Sequence, residues 1–285
     1  MTNKPVFTAL AIAIGLCALG AGAASASSGC PDKTVAEAGG THWCYDAGRR
    51  GHVHLWKPGR YDASTAVTVI YVHGYNLGDD GCPDADYVDC AWEKHHLAKQ
   101  FEASGLDALF VAIEAPVSDG QRAKWKLDAL LETVRREGGI RPPLPVVAMG
   151  HSGGVFTLER FLDDDRLRHV IMLDGGYKLT PKKVAAWYAH DRGRRLTLVG
   201  AEGTYWSSAA LGKKLGCDRD DDFFAPYTDA QKADRCLAMI DKDVGHMDVV
   251  RAGKVLPLVL SRVHQPPPLK AKSKPRPIAH RRKRR

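Results

Sequence analysis

The stretch VVAMGHSGGVFTLERFL, residues 146–162, constrains the fold of this chain more than any other segment. Its first four residues are apolar and follow a proline-rich turn, which predicts a short buried strand. From Val155 onward the apolar residues recur at helical spacing. A strand that turns directly into a helix needs small residues at the corner, because bulkier side chains would block the close approach of the two elements. The stretch therefore predicts a sharp strand-to-helix corner.

A serine stands at that corner, in the run Gly150-His151-Ser152-Gly153-Gly154. The spacing fits G-x-S-x-G, the nucleophile elbow, in which strained backbone exposes the serine hydroxyl at the start of a helix. The positive end of the helix dipole favours the negative charge that develops there during catalysis. The pattern predicts that Ser152 is a nucleophile. The alternative is a glycine-rich turn whose serine has no chemical role.

Strand-like and helical segments alternate along the chain with short connections. The predicted strands are 52–56, 67–72, 108–113, 146–149, 169–173 and 196–199. The predicted helices are 92–104, 122–136, 155–162, 181–190, 230–239 and 249–263, and Pro257 is expected to kink or restart the last of them. Such alternation predicts an α/β fold, a mostly parallel doubly wound sheet with helices on both faces. Active sites on such sheets lie beyond the carboxyl ends of the strands.

Candidate partners for Ser152 follow later strands. Asp174 ends its predicted strand directly and precedes two glycines, and Glu202 follows the next strand. His246 lies in a loop that opens the last predicted helix. We favour Asp174 as the catalytic acid because the glycines leave room for its carboxylate to turn, and we keep Glu202 as the alternative.

The chain resembles the α/β-hydrolase superfamily over about 52–263, because the serine, the acid and the histidine occur in the order typical of that superfamily. The elbow, the His73-Gly74 pair after an apolar strand and the late Gly-His-Met-Asp run carry the resemblance. It implies that His246 is the general base and that the buried acid orients it. It also implies an oxyanion hole made by the amide of Gly153 and the amide of Tyr75, with Asn76 as the alternative to Tyr75.

These observations predict a serine hydrolase that cleaves a small-molecule carboxylic ester through an acyl-enzyme, with no cofactor. Two alternatives share the sequence features. One is an amidase or peptidase that acts on cell-wall peptides, since ester and amide hydrolysis use the same triad. The other is a binding protein that keeps the hydrolase fold without catalysis.

The chain's first residues predict a signal peptide over 1–26. A lysine precedes the apolar run 6–19, and Ala24-Ser25-Ala26 fits a cleavage site before Ser27. The run is too short for a comfortable membrane span, so no transmembrane span is expected in the mature chain, which is secreted or periplasmic. An uncleaved anchor is the alternative. The hydrolase domain is expected over 27–260.

Six cysteines remain after the signal peptide, and an even number in an exported chain predicts disulfides. Proximity along the chain favours three pairs: Cys30–Cys44, Cys82–Cys90 and Cys217–Cys236. No C-x-x-C, zinc-type Cys/His spacing or EF-hand pattern is present in the sequence, so no metal site is expected.

The segment 261–285 is expected to be a disordered, proline-rich basic tail. It contains ten Lys and Arg and no Asp or Glu, whereas the whole chain has a formal net charge of +8. The remainder thus carries −2, and the alkaline character belongs to the tail. Such a tail suits an envelope polyanion, or it serves only solubility. No pattern of a specific nucleic-acid reader is present in the sequence.

Overall fold

The computed structural model of this chain describes residue 30 and residues 34–74, 87–113, 125–176, 180–223 and 225–264. The ten strands of the described sheet are β1 (Val35–Glu37), β2 (Gly40–Asp46), β3 (His52–Pro58), β4 (Val67–Val72), β5 (Ala108–Ile113), β6 (Val146–His151), β7 (Leu167–Leu173), β8 (Arg195–Gly200), β9 (Asp218–Asp220) and β10 (Cys236–Ile240). The α-helices in these ranges are α1 (Tyr87–Lys94), α2 (Leu97–Ala103), α3 (Leu127–Glu137), α4 (Val155–Leu158), α5 (Thr180–His190), α6 (Tyr205–Leu215), α7 (Asp229–Ala233), α8 (Asp248–Arg251) and α9 (Val255–Leu260).

The strands lie in the order β1-β2-β3-β5-β4-β6-β7-β8-β10-β9. From β5 to β9 every neighbouring pair is parallel, and only β1, β2 and β3 add antiparallel pairings at one edge. The predicted mostly parallel sheet is confirmed. All the parallel strands therefore end at the same edge of the sheet.

Both faces of the sheet are covered. In β4, Val67, Val69 and Tyr71 pack into a cluster with α1, α2, α8 and α9, whereas Ile70 and Val72 pack with α3, α4, α5 and α6. A strand that is buried on both faces has a continuous run of apolar residues, so the central strands could be predicted from the sequence. The doubly wound arrangement is confirmed.

One predicted element has the wrong type. The segment 230–239 was expected to be helical, but only α7 is a helix there, and β10 is a strand that pairs with β8 and β9. All five residues of β10 are buried. A short, fully apolar run fits both a buried strand and a buried helix. Here the run forms a strand, because it pairs with β8.

Four predicted helices differ from their expected bounds, and the one over 122–136 begins only at Leu127. The helix over 92–104 is divided into α1 and α2 at His96, whose φ of +49° is left-handed. The helix over 249–263 breaks at Gly253, with φ of +72°, and restarts as α9 two residues before Pro257. The helix expected over 155–162 ends at Leu158. Elements β1, β2, β9 and α6 were not predicted.

The disulfides Cys30–Cys44 and Cys217–Cys236 are present as predicted. Cys82 lies outside the described residues, as do the predicted signal peptide and residues 265–285. Arg262, which the sequence assigned to the tail, is 2% exposed and packs into the folded domain. Among the described residues, no helix has the length and apolarity that a membrane crossing requires.

Candidate active site

The predicted site residues lie at the edge of the sheet where the parallel strands have their carboxyl ends. Strand β6 leads directly into Ser152, β7 into Asp174, and β10 into the loop that carries His246. Because His151 pairs with Leu173 in the register of β6 and β7, Ser152 and Asp174 leave adjacent strands at equivalent positions. The fold thus brings the three predicted residues to one edge.

Ser152 has the backbone of a nucleophile elbow. Its φ is +49°, a left-handed value that is uncommon for a residue with a side chain. A Cβ on Gly154 would lie 2.4 Å from the carbonyl oxygen of Val72, and one on Gly150 would lie 3.0 Å from the carbonyl carbon of Gly154. Glycine at both positions therefore lets β6, the corner and β4 approach closely.

The other side of Ser152 faces the end of β4. A Cβ on Gly74 would lie 2.8 Å from the Cβ of Ser152, so the backbone after β4 runs directly beside the serine. Gly153 is buried in the 3₁₀ turn Ser152–Gly154. The second predicted oxyanion donor, Tyr75, and its alternative Asn76 lie outside the described residues.

His246 and Asp174 form a hydrogen-bonded pair. The Nδ1 atom of His246 donates to the Oδ2 atom of Asp174. The Asp174 side chain is fully buried, whereas that of His246 is 29% exposed. Asp174 has a left-handed φ of +45°, which turns its carboxylate away from the line of β7. This pairing fixes which imidazole nitrogen faces the acid.

The carboxylate of Asp174 accepts further hydrogen bonds from the loop after β8. The amides of Ala201 and Thr204 donate to Oδ1 at 2.9 Å, the hydroxyl of Thr204 donates at 2.6 Å, and the amide of Gly203 donates to Oδ2 at 3.2 Å. Burial raises the pKa of Asp174, but the hydrogen bonds from His246 and Thr204 outweigh it and leave the pKa below its ordinary value. The carboxylate is therefore ionised at neutral pH.

Glu202 occupies the same loop but has a different environment. Its side chain is exposed, and its amide donates to the carbonyl of Val244 at 3.1 Å. That bond ties the loop after β8 to the loop before His246. Of the two candidate acids, Asp174 is the one that contacts the histidine.

His151 packs against His246 and bonds to its backbone. It is 1% exposed, and its Nε2 donates to the carbonyl of His246 at 3.2 Å while the two rings lie 4.6 Å apart. Burial lowers the pKa of His151 to about 3 and that of His73 to about 4. Both rings are therefore neutral at pH 7, and His151 adds no positive charge beside His246.

No protein-family model matches this sequence, and no curated protein matches it. Solved structures do resemble it. One designated FAE aligns over 78% of this chain and 89% of its own, with a TM-score of 0.51 and 11% identity. An S-formylglutathione hydrolase from Agrobacterium tumefaciens aligns over 74% and 90%, with a TM-score of 0.44 and 13% identity. XC6422 from Xanthomonas campestris, described as an a/b serine hydrolase without a lid, aligns over 81% and 93%, with a TM-score of 0.43 and 13% identity.

This chain has the α/β-hydrolase fold. The resemblance inferred from the elbow is thereby confirmed at the level of architecture. Within the α/β-hydrolase fold, sequence reasoning missed the role of Thr204, which gives two hydrogen bonds to Asp174. Its only signal was its position just after a strand, beside Glu202. His151 was recognised as part of the elbow, but its bond to the His246 loop depends on packing that no local pattern encodes.

Proposed function

We propose that this protein is a serine hydrolase that cleaves carboxylic esters, with Ser152 as nucleophile, His246 as general base and Asp174 as the acid that orients it. The observation that carries the proposal is the hydrogen bond between His246 and the buried Asp174, at the edge where the backbone of Ser152 is strained. Left-handed backbone at a non-glycine residue costs energy, and such strain concentrates at functional sites.

The chemistry proceeds in two halves. His246 accepts the proton of the Ser152 hydroxyl through Nε2 as the oxygen attacks the ester carbonyl. The tetrahedral oxyanion then accepts hydrogen bonds from the amides of Gly153 and Tyr75. Collapse expels the alcohol, which takes the proton from His246. Water then repeats the sequence on the acyl-enzyme and releases the carboxylic acid.

Electrostatics favour this assignment of roles. The imidazolium that forms at His246 lies against an ionised carboxylate in a buried setting, where their attraction is stronger than in water. The neighbouring His151 is neutral and does not oppose the new charge. A lone exposed carboxylate such as Glu202 would supply much less stabilisation.

The test is turnover of a panel of p-nitrophenyl esters of increasing acyl length, beside matched p-nitroanilides. The wild-type protein should hydrolyse at least one ester, and Ser152→Ala should lower kcat by at least about 10⁴-fold with its fold unchanged. Faster hydrolysis of the anilides would favour the amidase alternative. Equal ester turnover by wild type and Ser152→Ala would contradict any role for the serine.

We also propose export and attachment to a polyanion. Disulfides are typical of oxidising compartments, which supports cleavage after residue 26 and a secreted or periplasmic location. Nine Lys and Arg follow Arg262, and this charge density suits an acidic envelope polymer. Removal of residues 265–285 should abolish retention on a heparin column at low salt without changing ester turnover. Retention that survives the truncation would rule out the tail as the binding segment.

A further inference from the structure

A hydrogen-bonded chain of side chains lies outside the candidate active site, on β1, β2, β3 and α1. His42 Nδ1 lies 2.8 Å from a carboxylate oxygen of Glu37, and His42 Nε2 lies 3.0 Å from Nδ1 of His54. His54 Nε2 in turn lies 2.7 Å from the carboxylate of Asp89, which also accepts from His52 Nδ1 at 2.8 Å. His42, His54 and Asp89 are each at most 3% exposed. Buried titratable groups in such a chain are not required by the proposed hydrolysis.

Cys44 adjoins this chain. In the antiparallel pairing of β2 and β3, Cys44 lies directly opposite His54. One ligand atom from each of Cys44, His54 and Asp89 falls within 4.8 Å of the others, and the same holds for Cys30, Cys44 and His52. In the disulfide-bonded protein Cys44 is joined to Cys30, so its sulfur is not a thiolate.

The hydrogens in the chain show where a cation could bind. The three links Glu37–His42, His42–His54 and His54–Asp89 each need one hydrogen, but two neutral imidazoles supply only two. With both imidazoles neutral, one of the three links therefore joins two acceptor atoms without a hydrogen between them. A metal ion bound between His54 Nε2 and Asp89 would join the two acceptor atoms of that link.

We propose that opening the Cys30–Cys44 disulfide creates a zinc site whose ligands are the Cys44 thiolate, His54 Nε2 and the Asp89 carboxylate. Thiolate, imidazole and carboxylate are the donors that Zn²⁺ prefers, and a fourth position is taken by the released Cys30 thiolate or by water. The disulfide masks the site because it removes the thiolate.

The surroundings of His54 match those of a zinc-bound histidine. Such a histidine usually donates its other ring N–H to an outer partner, often ending at a carboxylate, which fixes its tautomer. With zinc on Nε2, His54 donates from Nδ1 to His42, and His42 donates to Glu37. His52 holds the second oxygen of Asp89. Every hydrogen in the chain then has one donor and one acceptor.

A dithiol reductant transfers two electrons and two protons to the disulfide, giving Cys30 and Cys44 thiols, and is itself oxidised to a disulfide. Zn²⁺ then displaces the thiol proton of Cys44. Binding therefore releases at least one proton for each zinc ion.

The decisive experiment compares Cys30→Ser with Cys44→Ser. Each variant loses the same disulfide and retains one thiol of the pair, but only Cys30→Ser keeps the proposed ligand. Titration with Co²⁺ should give thiolate-to-cobalt charge-transfer absorption and tetrahedral visible bands in Cys30→Ser, at one ion per chain. Cys44→Ser and the oxidised wild type should show neither. Zinc should displace the cobalt.

Two further variants test the ligand set. Asp89→Asn in the Cys30→Ser background should abolish the tetrahedral bands, and His42→Phe should weaken zinc binding by about 10- to 100-fold through loss of the outer partner. If Cys30→Ser does not fold, wild type treated with a dithiol replaces it, with dithiol-treated Cys44→Ser as its control. Equal cobalt spectra in the Cys30 and Cys44 variants, or no spectrum in either form that retains Cys44, would overturn the proposal.

Discussion

At the scale of single residues, the buried carboxylate of Asp174 accepts a hydrogen bond from the imidazole of His246. The sequence limited the acid to Asp174 or Glu202, because both follow strands that end at the same edge. It favoured Asp174 only through the two glycines that follow it, since the choice depends on which side chain turns toward His246. In the structure the left-handed backbone at Asp174 turns its carboxylate inward, where the loop after β8 gives it three amide hydrogen bonds.

The roles of the two acids predict different kinetic consequences. Asp174→Asn should lower kcat by about 10⁴-fold, because an amide in that place favours the wrong tautomer of His246. Glu202→Gln should leave kcat within a few-fold, because the side chain is exposed and its structural bond comes from the backbone. Both variants should be assayed on one p-nitrophenyl ester. A large loss in Glu202→Gln with an active Asp174→Asn would reverse the assignment.

At the scale of elements, burial decides which parts of the fold were predictable. The central parallel strands are apolar on both faces, so their sequences stand out. Strand β10 was taken for a helix because a five-residue apolar run has no diagnostic period. The edge strands β1 and β2 were missed because they are short or only partly buried.

Arg262 ties the end of α9 to two other elements, which no charge pattern revealed. Its guanidinium donates to the hydroxyl of Thr197 at 2.7 Å and to the carbonyls of Gln231 and Asp234 at 3.0 and 2.8 Å. Arg262→Met leaves the buried Thr197 hydroxyl and two half-buried carbonyls without a charged donor and should lower the free energy of unfolding by about 2 kcal/mol. Denaturant titration measures this, with the exposed Arg192→Met as a control expected to change it by less than about 0.5 kcal/mol. Equal stability of the two variants would mean that Arg262 belongs functionally to the tail.

At the scale of the whole molecule, buried histidines make stability depend on pH. Burial lowers the pKa of His73 and His95 to about 4 and that of His151 to about 3, whereas an unfolded histidine titrates near pH 6.5. Below about pH 6.5 the unfolded chain binds protons that the native protein excludes. The stability contribution is thus complete above that pH and is lost as the pH falls toward 4, by up to about 1.4 kcal/mol per pH unit for each histidine.

The prediction is a free energy of unfolding that decreases from pH 7 to pH 5, measured by denaturant titration at each pH. His95→Gln removes one of the three groups and should make the decrease shallower, because His95 is 2% exposed and lies outside the proposed catalytic machinery. The paired carboxylate of Asp174, whose pKa is lowered, adds a further loss at more acidic pH. An identical pH dependence in wild type and His95→Gln would contradict this account.

The two proposed sites differ in how far the sequence could predict them. The proposed catalytic residues Ser152, Asp174 and His246 each follow a strand of the parallel sheet, so the sequence alone predicted that they lie at one edge of it. The proposed zinc ligands come from β2, β3 and α1 and meet only through the antiparallel register that sets Cys44 opposite His54. No linear spacing of Cys and His reports such a register, so the expectation of no metal site followed from the sequence.

The most direct test of the central claim is reaction with a fluorophosphonate, followed by intact mass and peptide mapping. The reagent captures a serine only when a general base activates it. Wild-type protein should gain one adduct, mapped to Ser152, and folded Ser152→Ala should gain none. Failure of the folded wild-type protein to react, or an equal adduct on Ser152→Ala, would contradict the assignment of this chain as a serine hydrolase.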